Sequence, residues 1–229
     1  MFDLLKLTCI AVGFSVFLQN LELWSIRSHI GPVWKLPKFF PPEQIMIALG
    51  LVCSVGLCVD LRFAIPLLIL ALIWSVVFRG SFNGGSDFMT VTLLIGLSLS
   101  LWNPQFGLSY VGVQSLLSYL ISGRAKLKDP DWRKGKFLPY ILQGKSYEIP
   151  NFFKTFTAQP KLLTTLSLGV IFFEISFPVV LISPRVALLY FAVGIVFHFL
   201  NFMVLGLNRF FFIWLATYPT IYFLQQQLG

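Results

Sequence analysis

Charge is what this chain has least of. Only 11% of its 229 residues are Asp, Glu, Lys or Arg, whereas soluble domains carry about a quarter. Water is thereby excluded as the main solvent of the folded chain. Histidine is scarce too, with 2 in all, and cysteine stands at 3. Cys9, Cys53 and Cys58 lie in apolar runs, without metal-ligand spacing or a pairing pattern, and read as small core residues. No His, Cys or carboxylate stands at ligand spacing to His198, so no metal site is expected. One long polar interruption, 124–160, leaves no room for a second globular domain. The absence of an inverted repeat and the scarcity of midplane charges argue against a transporter.

What is present is apolar surface. The hydrophobic share is 57%, with 25 Phe and 6 Trp, a composition suited to a lipid-facing surface with aromatic belts at headgroup level. Apolar runs approaching the ~20 residues of a membrane span fall at 4–24, 43–59, 62–79, 87–102, 107–124, 161–182, 184–206 and 208–225. The fold class expected is therefore all-α, a polytopic membrane bundle of about eight helices forming a single transmembrane domain over 1–229. At the N-terminus, Asp3 spoils a basic n-region and no small-x-small cleavage site follows, so 4–24 reads as a first membrane helix and not a signal peptide. The proline-rich stretch RSHIGPVWKLPKFFPPEQ reads as a short capping loop, with Trp34, Phe39 and Phe40 dipping into the interface. In 124–160, four prolines exclude one continuous helix, while WRKGKFLPYIL and NFFKTF mix bulky apolar residues with Lys as interfacial segments do. A partly helical interfacial lid is expected there.

The net charge of +8 does not point to nucleic acid, because the basic residues occupy membrane-edge loops. Anionic lipid headgroups are the expected counter-charge. Every Lys and Arg except Lys6, Arg62 and Arg185 falls in the loops after the first, third, fifth and seventh predicted helices. Counted that way, the long loop faces the cytoplasm.

Polar side chains inside a membrane span are costly and point to bundle contacts or function. On the fifth helix, Tyr110, Gln114, Ser118, Ser122 and Lys126 recur at i+4 and form a ridge. The ridge either ties helices together or lines a pocket, and Lys126 at its end either snorkels to headgroups or acts chemically. His198 and Asn201 share one face of the seventh helix, as a packing element or as part of a site. Glu174 lies mid-span with Arg185 further on. An ion pair, a neutral acid fixing the packing, or a functional group all remain open for it. In FRGSFNGGSDFM, residues 78–89, Asp87 is placed to cap the helix that follows.

Taken together these motifs resemble a known family. YLISGRAKLKDPDWRKGK resembles the Y-x-x-A-G-x-x-K-L-x-x-x-W-x-x-G stretch in the membrane domain of vitamin K-dependent γ-carboxylases and their wider relatives, the HTTM (horizontally transferred transmembrane) family. The likeness falls on Tyr119, Gly123, Lys126, Leu127, Trp132 and Gly135, with Ser122 in place of Ala and one extra residue before the tryptophan. Glu174, Pro178, Arg185, Phe197, His198, Asn201, Phe211, Leu215, Ala216 and Pro219 resemble later family motifs in the right order. FNGGSD is similar to the family's Asn-rich turn, and the resemblance is clearest over 78–225.

In the carboxylases the lysine of this motif deprotonates vitamin K hydroquinone. Oxygen then adds, and the strong base that results removes a glutamate γ-proton before carbon dioxide is captured. The resemblance thus implies Lys126 as a catalytic base, with Gln114, Ser118, Ser122, Trp132, Glu174, His198 and Asn201 around a substrate pocket. It also implies a lipophilic quinol or quinone of the vitamin K or menaquinone type. Desolvation favours a neutral, usable lysine amine in such a role, and an apolar wall suits a ring entering from lipid. Two departures stand against full carboxylation. Gly85 aligns where the carboxylases carry a histidine, and the large soluble domain that binds their protein substrate has no counterpart before Gly229. Protein carboxylation is expected only if a partner subunit supplies substrate binding. The alternative is a noncatalytic membrane subunit, anchor, immunity or assembly protein on the same scaffold. The family also places the lysine loop on the non-cytoplasmic side, opposite to the charge count.

Overall fold

The computed structural model describes residues 1–30, 42–77, 84–143 and 149–228, the side chains of 27–30 and 156 apart. Residues 31–41 of the expected capping loop, with Trp34, Phe39 and Phe40, and Asn83 of the glycine-rich turn lie outside the described residues. Residues 27–30, read as the start of that loop, instead continue the first helix. The chain is an all-α helical bundle, without a strand among those residues. Its helices are α1 Phe2–Ile30, α2 Glu43–Leu57, α3 Ala64–Val77, α4 Gly85–Leu99, α5 Pro104–Lys128, α6 Pro130–Arg133, α7 Phe137–Gln143, α8 Asn151–Lys154, α9 Pro160–Ser176, α10 Pro184–Leu205, α11 Asn208–Leu215 and α12 Tyr218–Leu228.

Among the described residues, three stretches are long and apolar enough to cross a membrane: Phe2–Ile26, Pro160–Leu181 and Pro184–Leu205. In the last, only 17% of the most apolar window is buried inside the protein. Leu188, Leu189 and Val196 stand exposed along it. So much apolar surface turned outward requires lipid as solvent. Glu43–Leu57, Leu61–Val77 and Gly85–Leu99 are apolar but shorter.

Several predicted helices appear near their expected limits, while the first runs on to Ile30, the one expected over 161–182 is α-helical only to Ser176, and two further differences are informative. The stretch 208–225 is not one helix, because Pro219 lacks an N–H and its ring would clash with the carbonyl of Leu215. The chain turns at Ala216 and Thr217, where Thr217 Oγ1 donates to the Trp214 carbonyl at 2.7 Å, and restarts as α12. The fifth helix runs on to Lys128 where 124 was expected, since its breaker is Pro130 and no earlier residue.

Two compact units make up the chain. The first comprises Met1–Gly112 and Phe212–Leu224. Here α1 packs on α2, and α3 on α4. Leu23, Met46, Ile47 and Trp74 form a buried cluster flanked by Leu51, Leu70, Ile73 and Val77. Small residues let α1 and α2 approach closely. A Cβ on Gly13 would lie 2.6 Å from the Ser54 carbonyl oxygen, the close approach typical of helix pairs in lipid, where packing and not water drives association. Local signals set the helix ends. The Asp87 carboxylate accepts from the Gly84 N–H at 3.2 Å, as expected of a cap. Asn103 Oδ1 accepts from the Phe106 N–H at 3.1 Å, with Pro104 opening α5. At the exposed turn between α2 and α3, the Asp60 carboxylate accepts from the Arg62 side chain and N–H, which holds its pKa below the ordinary value.

The second unit comprises Val113–Phe211 and Gln225–Gly229. The stretch read as a partly helical lid is α6, α7 and α8, followed by a 3-10 turn over Thr155–Ala158. Of these, α6, α7 and the 3-10 turn pack against α9, while α8 packs on α7 and on that turn. Pro178 ends α9 at Ser176, because an α-helix through it would bring its ring against the Glu174 carbonyl. The chain tightens into a 3-10 turn over Phe177–Leu181. Ser183 then caps α10, accepting from the Val186 N–H at 3.3 Å, and Gly206 at φ 68 closes it.

Candidate functional site

The second unit holds a polar cluster built on α5 and α9. Tyr119, Ser122 with Gly123, and Lys126 fall at i, i+3/i+4 and i+7 and so share one face of α5. Gly123 is buried, and a Cβ there would lie 2.7 Å from Ile175 Cγ1, 2.8 Å from the Ile175 nitrogen and 3.0 Å from Glu174 Cβ. Only glycine allows this approach, and it brings Lys126 onto Glu174. Lys126 Nζ donates to Glu174 Oε1 at 2.7 Å, to Oε2 at 2.6 Å and to Ser122 Oγ at 2.6 Å. Ser122 Oγ donates in turn to Glu174 Oε1 at 3.2 Å. The side chains are 18% and 6% exposed for Lys126 and Glu174, so this ion pair is largely sheltered from screening water.

Local sequence places the lid over the pair. Pro130 cannot continue α5, since its ring would meet the Lys126 carbonyl. Asp129 instead caps α6, accepting from the Asp131 N–H at 2.8 Å. This corner returns Trp132 to 5.3 Å from Lys126 Nζ, a cation–π contact. Phe137 stacks on Trp132 at 4.6 Å between ring centroids. The turn is fastened to α9, because Ser167 Oγ donates to the Trp132 carbonyl and Thr164 Oγ1 to the Lys134 carbonyl at 3.1 Å. Between them Gly135 adopts φ 66, with Thr164 Cα only 2.5 Å from where a Cβ would stand. Gly135→Ala therefore combines left-handed backbone strain of ~1–2 kcal/mol with a backbone clash. The expected outcome is faster limited proteolysis after Arg133, Lys134 and Lys136, and an unchanged rate would show that the turn tolerates a side chain.

One α5 turn before Ser122 lies a second polar contact. Tyr119 Oη and His198 Nε2 are 2.6 Å apart, both groups buried. Tyr119 stacks on Phe177 at 3.7 Å and meets Phe173 edge-on at 5.9 Å.

Of the residues singled out in the sequence, the structure gathers Lys126, Ser122, Glu174 and Trp132 into one cluster. His198 joins Tyr119. Ser118 and Asn201 make their described side-chain hydrogen bonds within their own helices: Ser118 Oγ donates to the Gln114 carbonyl at 2.8 Å, and Asn201 Nδ2 to the Phe197 carbonyl at 2.9 Å. Gln114 is half-buried on α5, one turn before Ser118. The ion-pair partner of Glu174 is Lys126, from another helix, and Arg185 is exposed. Sequence reasoning missed Thr164 and Ser167, and it named Tyr119 in the family-like motif without placing it in the site. For Tyr119 a signal existed, its seven-residue spacing from Lys126. Lys126 and Glu174 also each precede a proline, Pro130 and Pro178, by four residues.

The fold and site together define a helical membrane domain with an internal lysine–carboxylate pair under an aromatic lid. The HTTM domain family matches residues 97–226, a stretch holding every member of the cluster, and the chain belongs to that family. HTTM is a membrane domain of the γ-carboxylase family. No curated protein and no solved structure shows a significant match.

Proposed function

We propose that this chain is a single-domain, multi-pass membrane enzyme performing acid–base chemistry on a lipophilic quinol, with Lys126 as the base. The observation that carries the reading is the contact of Lys126 Nζ with both Glu174 oxygens, at 2.7 and 2.6 Å, under the Trp132 ring. Desolvation disfavours the ionic form of such a pair relative to the neutral one. Passage of one proton from Nζ to Oε2 leaves a neutral amine and a carboxylic acid. The amine can then accept a hydroxyl proton from a ring seated beside Trp132 and Phe137. Ser122 holds Nζ in place during the transfer. The donor set fits such a substrate, offering one amine, one hydroxyl and flat aromatic walls. The quinol itself supplies reducing equivalents for reaction with oxygen.

A second reading also has support. A saturated ion pair linking α5 to α9 is what a noncatalytic subunit or anchor would use as a tie, with a partner subunit doing the chemistry. Purified wild type and Lys126→Ala, each given reduced vitamin K or menaquinol and oxygen, separate the two when quinone and epoxide products are followed by mass spectrometry. The enzyme reading expects wild-type product and a loss of about 10²–10⁴-fold on removing the base. No product from folded wild type, or equal product from both proteins, would sink it.

A further inference from the structure

The surface made by α6, α7, α8 and the first turn of α9 is used by neither reading. Arg133, Lys134, Lys136, Lys154 and Lys161 are all exposed there, as is Lys128 at the end of α5. The acids described within this stretch are Asp129 and Asp131, and Asp129 is already engaged in capping α6. Unlike a solvated charged face, this one also carries bare rings. Tyr140 is 76% and Phe152 67% exposed.

Position along the chain says which medium this surface meets. The membrane-length stretch Pro160–Leu181 begins directly after the segment, so α6 to α8 lie at the level where hydrocarbon gives way to headgroups. Rings at that depth settle among lipid headgroups, and Lys and Arg there meet lipid phosphates. Lys161 stands in the first turn of α9, the end of a helix that repels a cation, and an external anion would offset that repulsion. The segment is not a loose tail. Ser167 and Thr164 hold the Trp132 and Lys134 carbonyls against α9, so Arg133, Lys134 and Lys136 are presented from a fixed turn.

We propose that this face is a binding surface for anionic phospholipid headgroups, which holds the lid against the bilayer beside the Lys126–Glu174 pair. An acidic peptide is the competing occupant. The two exposed rings favour lipid, because they match an acyl–headgroup boundary and not a soluble polyanion.

The test uses the full chain reconstituted in phosphatidylcholine vesicles. Spin-labelled phosphatidylglycerol and spin-labelled phosphatidylcholine are compared by the motionally restricted fraction in electron paramagnetic resonance spectra. Wild type is expected to select the anionic lipid several-fold, with selectivity falling as salt rises. One basic residue near an anionic bilayer is worth up to about fivefold, so the triple variant Arg133→Gln, Lys134→Gln, Lys136→Gln, which removes half of the exposed cations of this face, should lower selectivity severalfold. Lys6→Gln with Arg185→Gln, exposed cations elsewhere, should leave it unchanged. Equal selectivity in wild type and the triple variant overturns the proposal. So does saturable binding of a polyglutamate peptide by a wild type that shows no lipid selectivity. The salt dependence of wild type alone decides the matter should the triple variant not fold.

Discussion

Glu174→Leu is expected to destabilise the protein by about 3–5 kcal/mol, the penalty for stripping the partner from a sheltered charge. The side chain left behind, Lys126, is 18% exposed in the intact pair, and its remaining described acceptor is the Ser122 hydroxyl. An ordinary hydrogen bond between membrane helices contributes about 0.6 kcal/mol, reaching about 1.7 at most. A loss above 3 therefore identifies an uncompensated charge and not a lost contact. For a chain of this length it lowers the thermal midpoint by roughly 10 °C, measurable in nanodiscs by circular dichroism. Lys126→Met with Glu174→Leu removes both charges and should recover most of the loss, since apolar replacement of a buried pair is often neutral. If the single and double variants are equally unstable, the ion pair is not the source of the effect. The same double variant bears on function, because a tie can be replaced by apolar packing whereas a base cannot.

Gly123→Ala is the second large effect, and it acts on geometry before chemistry. The added methyl would meet the Ile175 nitrogen at 2.8 Å, and a backbone atom in a helix cannot swing aside as a side chain can. The helices must part, with overpacking costing about 1–3 kcal/mol. Since Lys126 lies one turn beyond Gly123 and reaches Glu174 with contacts of 2.6 and 2.7 Å, a small separation lengthens them all. A double-mutant cycle between Lys126 and Glu174 should give a coupling energy that falls toward zero in the Gly123→Ala background. Gly169, with nothing within 4 Å of its would-be Cβ, is the control. Gly169→Ala should be stabilising by about 0.5–1 kcal/mol, because alanine suits a helix interior better. A Gly123→Ala protein as stable as the Gly169→Ala protein would show that α5 and α9 do not need the close approach.

Much of this was legible in the sequence because the signals are local. Apolar runs marked out the helices, and scarce charge named the solvent. The one-dimensional pattern also identified Lys126, Ser122 and Glu174 as residues to watch, through a ridge of i+4 steps and a mid-span carboxylate, and the family resemblance added Trp132. It left open what depends on non-local packing. The role of Glu174 was undecided, with Arg185 the basic residue that follows it, and helix pairing across 48 residues delivers Lys126 as its partner. The resemblance put Gln114, Ser118 and Asn201 around a pocket; the bonds described for the Ser118 and Asn201 side chains run to carbonyls four residues earlier in their own helices, an acceptor always within reach of a short polar side chain on a helix.

By itself, then, the sequence determined that this is a helical protein made for lipid, roughly where its apolar helices run, and that the prolines of 124–160 exclude one continuous helix there. Composition, periodicity and proline chemistry act within a few residues and need no fold to be read. Only the tertiary structure decided that Lys126 meets Glu174, that Tyr119 meets His198 and that the lid turn at Gly135 is fastened to α9. Each of these depends on how closely two helices approach, a distance set by the summed packing of their whole faces.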